Sequence, residues 1–304
     1  MKRFFSNVIV MGVSALAASS VVADDVDVYL VLGQSNAGNF AETASTGSTD
    51  VGFNLDFARV QDRPDFLVGP GETSGAFSTR LLEPTNAVSV LAQGLHNGKD
   101  VAVLSYIRNG ASITPGINFY SNGTPYYWGS DPSVSPQPDN TSLYGAHLAW
   151  VGARLTEISS RGDTPVVKGV FWYQGEGDAG ANVSSAVYQA GLEGLLDRLR
   201  SDYGADLPVI ATEIRNGNVA SGYNLNQSNA INDAAKAVAA SDDFFDIVDP
   251  NDLSYRSAND VHLNNSGLAD LAPIWTDAYL QIVPEPSSLV LLGLSGLVLI
   301  RRRR

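Results

Sequence analysis

Cysteine is absent from this sequence. Disulfide bonds, a cysteine nucleophile and metal sites built on thiolates are therefore excluded. A chain without disulfides must be stabilised by its hydrophobic core. With 304 residues, of which 44% are hydrophobic, the chain is long enough to bury a sizeable core. This length and composition favour a single domain.

Positive charge is also scarce. The chain has 19 Lys and Arg against 32 Asp and Glu, a formal net charge of −13. Six of the basic residues and one of the acidic residues lie at the two ends, so residues 24–283 carry a net charge of −18. A surface this acidic repels polyanions, and nucleic acid is therefore not an expected partner.

The N-terminal segment has the pattern of a targeting signal. Lys2 and Arg3 precede an apolar stretch over residues 4–18, and small residues follow it up to Ala23. This order of charged, apolar and small residues predicts a secretory signal peptide over 1–23, cleaved after Ala23. The alternative, a first strand or helix of the core, explains fewer of these residues.

The C-terminal segment carries a second signal. Pro284-Glu285-Pro286 is followed by an apolar run over 287–300 and then by four arginines. At about 1.5 Å per residue the run spans roughly 21 Å, short of the ~30 Å hydrocarbon core of a bilayer. The segment 284–304 resembles a PEP-CTERM sorting tail, which implies processing by an exosortase at the inner membrane of a Gram-negative bacterium and transfer to the cell surface or extracellular matrix. The membrane contact would then be transient. A plain C-terminal anchor is the alternative.

Between the two ends, short apolar runs alternate with longer segments of helical spacing. The predicted strands are 26–32, 101–106, 166–173, 208–214 and 244–248. The predicted helices are 143–159, 183–203, 224–240 and 266–282. This alternation indicates an α/β sandwich, in which helices cover both faces of a parallel sheet. In such a sheet we expect the functional residues just beyond the carboxyl ends of the strands.

Two long segments, 40–80 and 114–140, interrupt the alternation. Loops of this length in a compact domain are usually functional. The second contains four aromatic residues, which either form a wall for a sugar or simply hold the loop in place: Tyr120, Tyr126, Tyr127 and Trp128.

A candidate nucleophile follows the first predicted strand. Residues 33–38 read Gly-Gln-Ser-Asn-Ala-Gly, which puts Ser35 in a tight turn at the start of a helix, beside free backbone N–H groups. The second glycine comes three residues after the serine, so the segment differs from the G-x-S-x-G turn of α/β-hydrolases. Ser35 could instead be only the N-cap of the helix.

A serine nucleophile needs a base, and the chain has three histidines. His262 lies between the last strand and the last helix, and Asp260 precedes it closely enough to orient its imidazole. An Asp-x-His segment can also be a surface loop or half of a metal site. His96 and His147 lie in a turn and in a helical run, and both are weaker candidates.

Acyl transfer also needs hydrogen-bond donors for the developing oxyanion. The candidates are the N–H of Ser35, the backbone of Gly110 and the side chain of Gln174. Gln174 follows a strand that ends in a polar turn, where Glu176 is a further candidate for substrate binding. Glu176 and Asp178 could instead cap the next helix. Asp246, Asp249 and Asp252 form a possible calcium site, although their spacing fits no known loop.

Three segments together carry a family resemblance: 33–36 (Gly-Gln-Ser-Asn), 172–176 (Trp-Tyr-Gln-Gly-Glu) and 260–262 (Asp-Val-His). In order and spacing they resemble the sialate O-acetylesterase and acetylxylan esterase branch of the SGNH hydrolases. The resemblance implies a flavodoxin-like three-layer α/β/α fold, removal of acetyl groups from carbohydrate hydroxyls, and no metal or cofactor. This chain departs from the family pattern at two places. Residues 109–111 are Asn-Gly-Ala, where Gly-Gly-Thr or Gly-Gly-Ser is frequent, and Asn259 stands where many relatives have the acid that supports the histidine.

Carried over by motif, the resemblance assigns a role to each site residue. Ser35 is the nucleophile, His262 the base and Asp260 its supporting acid. The oxyanion and substrate-binding group consists of Gly110, Gln174, Gln34, Asn36 and Glu176. We therefore expect an exported serine esterase acting on an acetylated polysaccharide or a sialate-type sugar. The alternatives are a non-catalytic surface protein that binds exopolysaccharide, and a lipid or thioester hydrolase on the same fold.

Overall fold

The computed structural model describes residues 25–42, 66–68, 87–97, 99–117, 127–129, 143–160, 162–217 and 222–283. The predicted signal peptide, the sorting tail and most of the segments 40–80 and 114–140 lie outside these residues. The bounds that we predict for the signal peptide, 1–23, and for the esterase domain that follows it, 24–283, stay predictions.

The described strands form one six-stranded sheet. They are β1 (Asp25–Gly33), β2 (Phe66–Val68), β3 (Asp100–Ile107), β4 (Thr164–Tyr173), β5 (Val209–Thr212) and β6 (Phe245–Val248). The order is β2-β3-β1-β4-β5-β6. All neighbours are parallel except the short edge strand β2, which pairs antiparallel with β3. The five predicted strands are thus confirmed, whereas β2 lies in a segment that the sequence predicts as loop.

Seven described helices follow or separate the strands. They are α1 (Ser35–Glu42), α2 (Ala87–Leu95), α3 (Leu143–Ser160), α4 (Glu176–Gly180), α5 (Ser185–Tyr203), α6 (Leu225–Ala239) and α7 (Asn265–Ile282). The four predicted helices correspond to α3, α5, α6 and α7. Ser184 caps α5 through the N–H of Val187, and Asn224 caps α6 in a capping box with Gln227.

Helices cover both faces of the sheet. Phe171 of β4 stacks on Trp275 of α7 with ring centroids 5.2 Å apart. The next residue, Trp172, points to the opposite face and meets Trp128 at 5.2 Å. Helices α1, α2 and α7 pack together on the first face, and α3, α5 and α6 cover the second. The predicted three-layer α/β/α sandwich is confirmed.

The strand order determines where a ligand can bind. Without β2, the order β3-β1-β4-β5-β6 is that of flavodoxin-like doubly wound sheets, in which the chain direction across the sheet reverses at the first strand. Such a reversal opens a crevice at the carboxyl ends of the neighbouring strands. The carboxyl end of β1 lies at this position, and Ser35 follows it after one residue.

Candidate active site

The turn that carries Ser35 is held tightly against the end of β4. Gly33 has φ 133°, and a Cβ added to it would collide with the carbonyl oxygen of Tyr173. The N–H of Gln34 donates to that same carbonyl at 3.0 Å. Glycine is therefore required at this position, because only a residue without a side chain lets the turn approach β4 so closely.

The indole ring of Trp128 also supports the turn that carries Ser35. Its indole N–H donates to the Gly33 carbonyl at 3.2 Å, and its ring is fully buried. Tyr127 is also buried, with 5% of its surface exposed. These two rings belong to the core, so the predicted sugar wall is wrong for them. Tyr120 and Tyr126 lie outside the described residues.

Ser35, His262 and Asp260 form one hydrogen-bonded line. The Oγ of Ser35 lies 3.0 Å from Nε2 of His262, and Nδ1 of His262 lies 2.8 Å from Oδ1 of Asp260. The same carboxylate oxygen accepts the backbone N–H of His262 at 2.9 Å. Asp260 thus binds both the backbone and the ring of His262, which aligns the imidazole with the serine hydroxyl.

The electrostatics of the pair favour a neutral imidazole beside an ionised carboxylate. Burial lowers the pKa of His262 and outweighs the opposite effect of Asp260. Burial also opposes ionisation of Asp260, but the hydrogen bonds from His262 outweigh it and lower the pKa of Asp260. Near neutral pH, His262 can therefore accept a proton from Ser35.

The other two histidines lie elsewhere. His147 is fully buried, where its Nδ1 meets the carbonyl of Tyr144 and its Nε2 meets the hydroxyl of Tyr203. Burial lowers the pKa of His147 to about 4, so it is a neutral core residue. His96 lies in the turn after α2.

Asn36 and Glu176 are buried and are bonded to the segment that carries His262. The amide of Asn36 is fully buried. Its Nδ2 donates to Oε1 of Glu176 at 2.8 Å and to the carbonyl of Val261 at 3.0 Å, and its Oδ1 accepts the N–H of Leu263 at 3.2 Å. Both side chains thus form hydrogen bonds within the protein, and their predicted contact with a substrate stays a prediction. Asn36 holds the backbone on either side of His262.

The carboxyl group of Glu176 has an unusual environment. Only 4% of the residue is exposed, and burial raises its pKa to about 7. Oε1 accepts the hydrogen bond from Asn36, whereas Oε2 has no hydrogen-bond partner among the described residues. A carboxyl group in this state changes its charge near neutral pH.

Gln174 and Gln34 are likewise buried and bonded within the protein. Nε2 of Gln174 lies 2.7 Å from Asp178 Oδ2, 2.9 Å from the carbonyl of Ala111 and 3.4 Å from Gln34 Oε1. Oε1 of Gln34 also accepts the N–H of Gly177 at 3.2 Å. An NH2 group has two protons, and protein acceptors take both. In this geometry Gln174 organises the turn after β4 and does not present a free donor to an oxyanion.

Asp178 is the residue whose role was least evident from sequence. Its carboxylate accepts the N–H of Ile113 at 2.8 Å and of Thr114 at 3.0 Å. The following helix, α5, is capped by Ser184, so the alternative in which Asp178 caps it is wrong. Burial raises the pKa of Asp178. The carboxylate holds the segment after β3 that contains Gly110, and its position after a buried strand was the only sequence signal for this.

Gly110 and Ser35 are the two residues whose backbone N–H groups are predicted to bind the oxyanion. Gly110 has φ 68° in a turn closed by the hydrogen bond from Ala111 N to Arg108 O at 3.2 Å. The N–H of Ser35 opens α1, where the first amides have no acceptor within the helix and carry partial positive charge.

Arg215 was missed by sequence reasoning. It follows β5 at the carboxyl edge of the sheet, and its guanidinium donates to the carbonyls of Ser257 and Asp260. The guanidinium also lies over the ring of Tyr255, 4.0 Å from its centroid. Arg215 thus fixes the backbone that carries the supporting acid. Its place beyond a strand end was the available signal.

Within the described part of the chain, no group of three or more His, Asp or Glu is arranged to hold a metal ion. Asp249, one of the three residues considered for calcium, instead accepts hydrogen bonds from Asn251. The structure therefore does not bring Asp246, Asp249 and Asp252 together as a cation site.

None of the helices in the described ranges is both long enough and apolar enough to cross a membrane.

Solved structures similar to this chain include three with TM-scores just above 0.5. A protein of Arabidopsis thaliana aligns with a TM-score of 0.52 and 18% identity over 85% of this chain and 98% of that one. A carbohydrate acetylesterase from Xanthomonas citri has the same score and identity over 84% of this chain, but only 56% of that protein. NanS aligns with a TM-score of 0.51 and 16% identity over 86% of this chain and 98% of that one. At these identities the likeness shows the fold.

Family models match two parts of the sequence, and no curated protein matches it. The PEP-CTERM protein-sorting motif matches residues 283–304, which confirms the resemblance of the tail and indicates export and surface sorting in a Gram-negative bacterium. The model described as carbohydrate esterase, sialic acid-specific acetylesterase, matches residues 127–281, just over half of the chain. The matched residues include Gln174, Glu176, Asp260 and His262, whereas Ser35 precedes them. The chain thus belongs to the carbohydrate esterase family of sialic acid-specific acetylesterases.

Proposed function

We propose that this protein is an exported serine esterase that removes acetyl groups from carbohydrate hydroxyls. One observation carries the proposal: the unbroken line from Ser35 Oγ through the imidazole of His262 to Asp260. Membership of a carbohydrate esterase family supports the reaction class independently. Neither argument depends on a metal or a cofactor.

The first step is acylation of Ser35. As its hydroxyl attacks the acetyl carbonyl, His262 takes the proton through Nε2 and becomes an imidazolium, which Asp260 stabilises across Nδ1. The bond to the sugar oxygen then breaks, and the imidazolium returns the proton to that oxygen. The products of this half-reaction are a free sugar hydroxyl and an acetylated serine.

The second step is hydrolysis of the acetyl-enzyme. His262 removes a proton from water, the water oxygen attacks the acetyl carbonyl, and the proton passes to Ser35 as acetate leaves. In both steps negative charge develops on the carbonyl oxygen. We assign its stabilisation to the backbone N–H groups of Ser35 and Gly110, because the amide of Gln174 is already engaged by Asp178 and Ala111.

The substrate that we favour is an acetylated polysaccharide. The family description names sialic acid, and one similar solved structure is described as a carbohydrate acetylesterase. The strongly acidic chain weakly disfavours an anionic sialate, although the local potential at the site decides this. Export by the predicted signal peptide, followed by exosortase processing of the tail, would bring the enzyme to polysaccharide outside the cell.

The proposal is tested with the Ser35→Ala variant and a chromogenic acetate ester. Wild-type protein is expected to hydrolyse the ester, and the variant is expected to lose nearly all turnover while it stays folded by circular dichroism. Full activity of the variant would remove Ser35 from the mechanism. Folded wild-type protein without any turnover would favour the non-catalytic polysaccharide-binding alternative.

Two substrate comparisons define the acyl and sugar groups. Acetyl esters are expected to react faster than octanoyl esters, since a long chain needs an apolar groove. A preference for octanoyl esters would support the lipid or thioester alternative instead. Acetate release from a panel of acetylated glycans, which includes O-acetylated sialic acid and acetylated xylan, then identifies the sugar.

A further inference from the structure

A hydrogen-bonded path leads from a buried carboxyl group to the base of the proposed reaction. Glu176 accepts from Asn36, and Asn36 bonds the carbonyl of Val261 and the N–H of Leu263. These two backbone groups flank His262 on both sides. The path therefore connects Glu176 with the segment that holds the imidazole. Asn36 is separated by 140 residues of sequence from Glu176 and by 225 from Val261.

We infer that Glu176 is a positioning residue: its buried carboxylate, when ionised, holds Asn36 so that the segment 261–263 keeps His262 against Ser35. This inference rests on the proposed esterase function. Glu176 itself touches neither Ser35 nor the reacting atoms. Its effect is transmitted through Asn36, whose amide is fully buried and bonded on both sides.

The strength of this hold depends on the charge of Glu176. A carboxylate accepts the Nδ2 proton of Asn36 more strongly than a neutral carboxyl group does, because charge-assisted hydrogen bonds are about twice as strong as neutral ones. Burial raises the pKa of Glu176 to about 7, while the bond from Asn36 opposes this shift. The hydrogen bond from Asn36 to Glu176 therefore strengthens as pH rises through neutrality.

The surroundings leave few other groups that can change charge in this range. Asp178 on the same helix raises the pKa of Glu176. Among the described residues, the other titratable groups that interact electrostatically with Glu176 are phenols from β4, α5, the segment before α6 and the segment after β6. Burial raises the pKa of each of these phenols, so they stay neutral: Tyr173, Tyr188, Tyr223 and Tyr255.

The test is the pH dependence of kcat for the full chain from about pH 5 to about pH 9, with a substrate that does not ionise. In wild-type protein kcat is expected to rise in two steps, the first from His262 and the second near pH 7 from Glu176. Glu176→Gln keeps an acceptor for Asn36 but cannot ionise. The kcat of this variant should equal that of wild type at the acid end and lack the second step. At the alkaline end it should be about fivefold lower than that of wild type.

Two further variants separate this role from a purely structural one. Asn36→Ala breaks the path, so adding Glu176→Gln to it should have no further effect on kcat. Glu193→Gln, an exposed carboxylate on α5, is the matched control and should keep both steps. The inference is overturned if Glu176→Gln retains the second step, if the two losses multiply in the double variant, or if wild-type protein shows a single step.

The wild-type profile keeps the inference testable even if Glu176→Gln does not fold. Ser35→Ala in the same assay separates the inference from the proposed function. Turnover by Ser35→Ala would overturn the esterase mechanism itself. An inactive Ser35→Ala together with a wild-type profile for Glu176→Gln would overturn only the role of Glu176.

Discussion

The imidazole of His262 meets the hydroxyl of Ser35 at 3.0 Å, although the two residues are separated by 227 positions in the sequence. The contact exists because β1 and the last β-strand end at the same edge of a parallel sheet, so the turn after one and the loop after the other converge.

Asp260→Asn should lower kcat by about a thousandfold, with little change in KM. An asparagine in this place can present an N–H to Nδ1, which puts the imidazole proton on Nε2, where it cannot accept the proton of Ser35. Steady-state kinetics on an acetate ester measure the effect. Asn259→Ala, at the neighbouring exposed residue, is the matched control and should stay within about twofold of wild type.

The kcat/KM of the esterase should fall as the solution is acidified, because only neutral His262 accepts the proton of Ser35. Burial lowers the pKa of His262 from its usual value of 6.5, so the midpoint should lie below 6.5. The Glu176→Gln variant is the suitable protein for this measurement, since the step of His262 is then isolated. A midpoint above 6.5 would contradict the expected effect of burial.

Glu176→Gln should stabilise the protein at alkaline pH. The pKa of Glu176 is raised from 4.5 to about 7, so the folded state binds a proton more tightly than the unfolded chain, and the free energy of unfolding falls as pH rises through this range. Removing the ionisable group should recover about 3 kcal/mol above pH 7. Urea unfolding at acid and alkaline pH measures the difference, and equal stabilities at alkaline pH would contradict the prediction.

Gly33→Ala should destabilise the fold by about 2–4 kcal/mol. The new Cβ would meet the carbonyl oxygen of Tyr173 at a φ of 133°, so the turn before Ser35 would have to leave β4. Gly194→Ala is the matched control, because this helical glycine has open space around it, and the change should stabilise by about 0.5–1 kcal/mol. Chemical denaturation of both variants gives their free energies of unfolding. It thus measures how much the close approach of Gly33 to Tyr173 contributes to stability.

Asp178→Asn should lower kcat by roughly tenfold or more while KM changes little, because the segment that carries Gly110, the proposed second oxyanion donor, would be displaced. The carboxylate holds the N–H groups of Ile113 and Thr114, and an amide offers one acceptor oxygen for the same two donors. Asp197→Asn, at an exposed residue of α5, is the control. A larger effect on KM than on kcat would show that Asp178 organises substrate binding instead.

Much of the architecture could be predicted from local patterns. Runs such as 101–106 are apolar, and the helices repeat with a period near 3.6, so element type and order follow from short-range physics. The turn after β1 was recognisable from its glycine and serine. The edge strand β2 was not, since three residues in a polar segment give no periodic signal.

The sequence by itself determined the alternation of strands and helices, and with it a parallel sheet whose carboxyl edge carries Ser35, Gln174 and His262. Only the tertiary structure decided which of the polar groups near this edge are buried and bonded within the protein. Asn36 and Glu176 belong to the motifs that suggest binding, yet both are directed inward. The reason is physical: local patterns set the period of each element, whereas burial and hydrogen-bond partners depend on segments more than a hundred residues away.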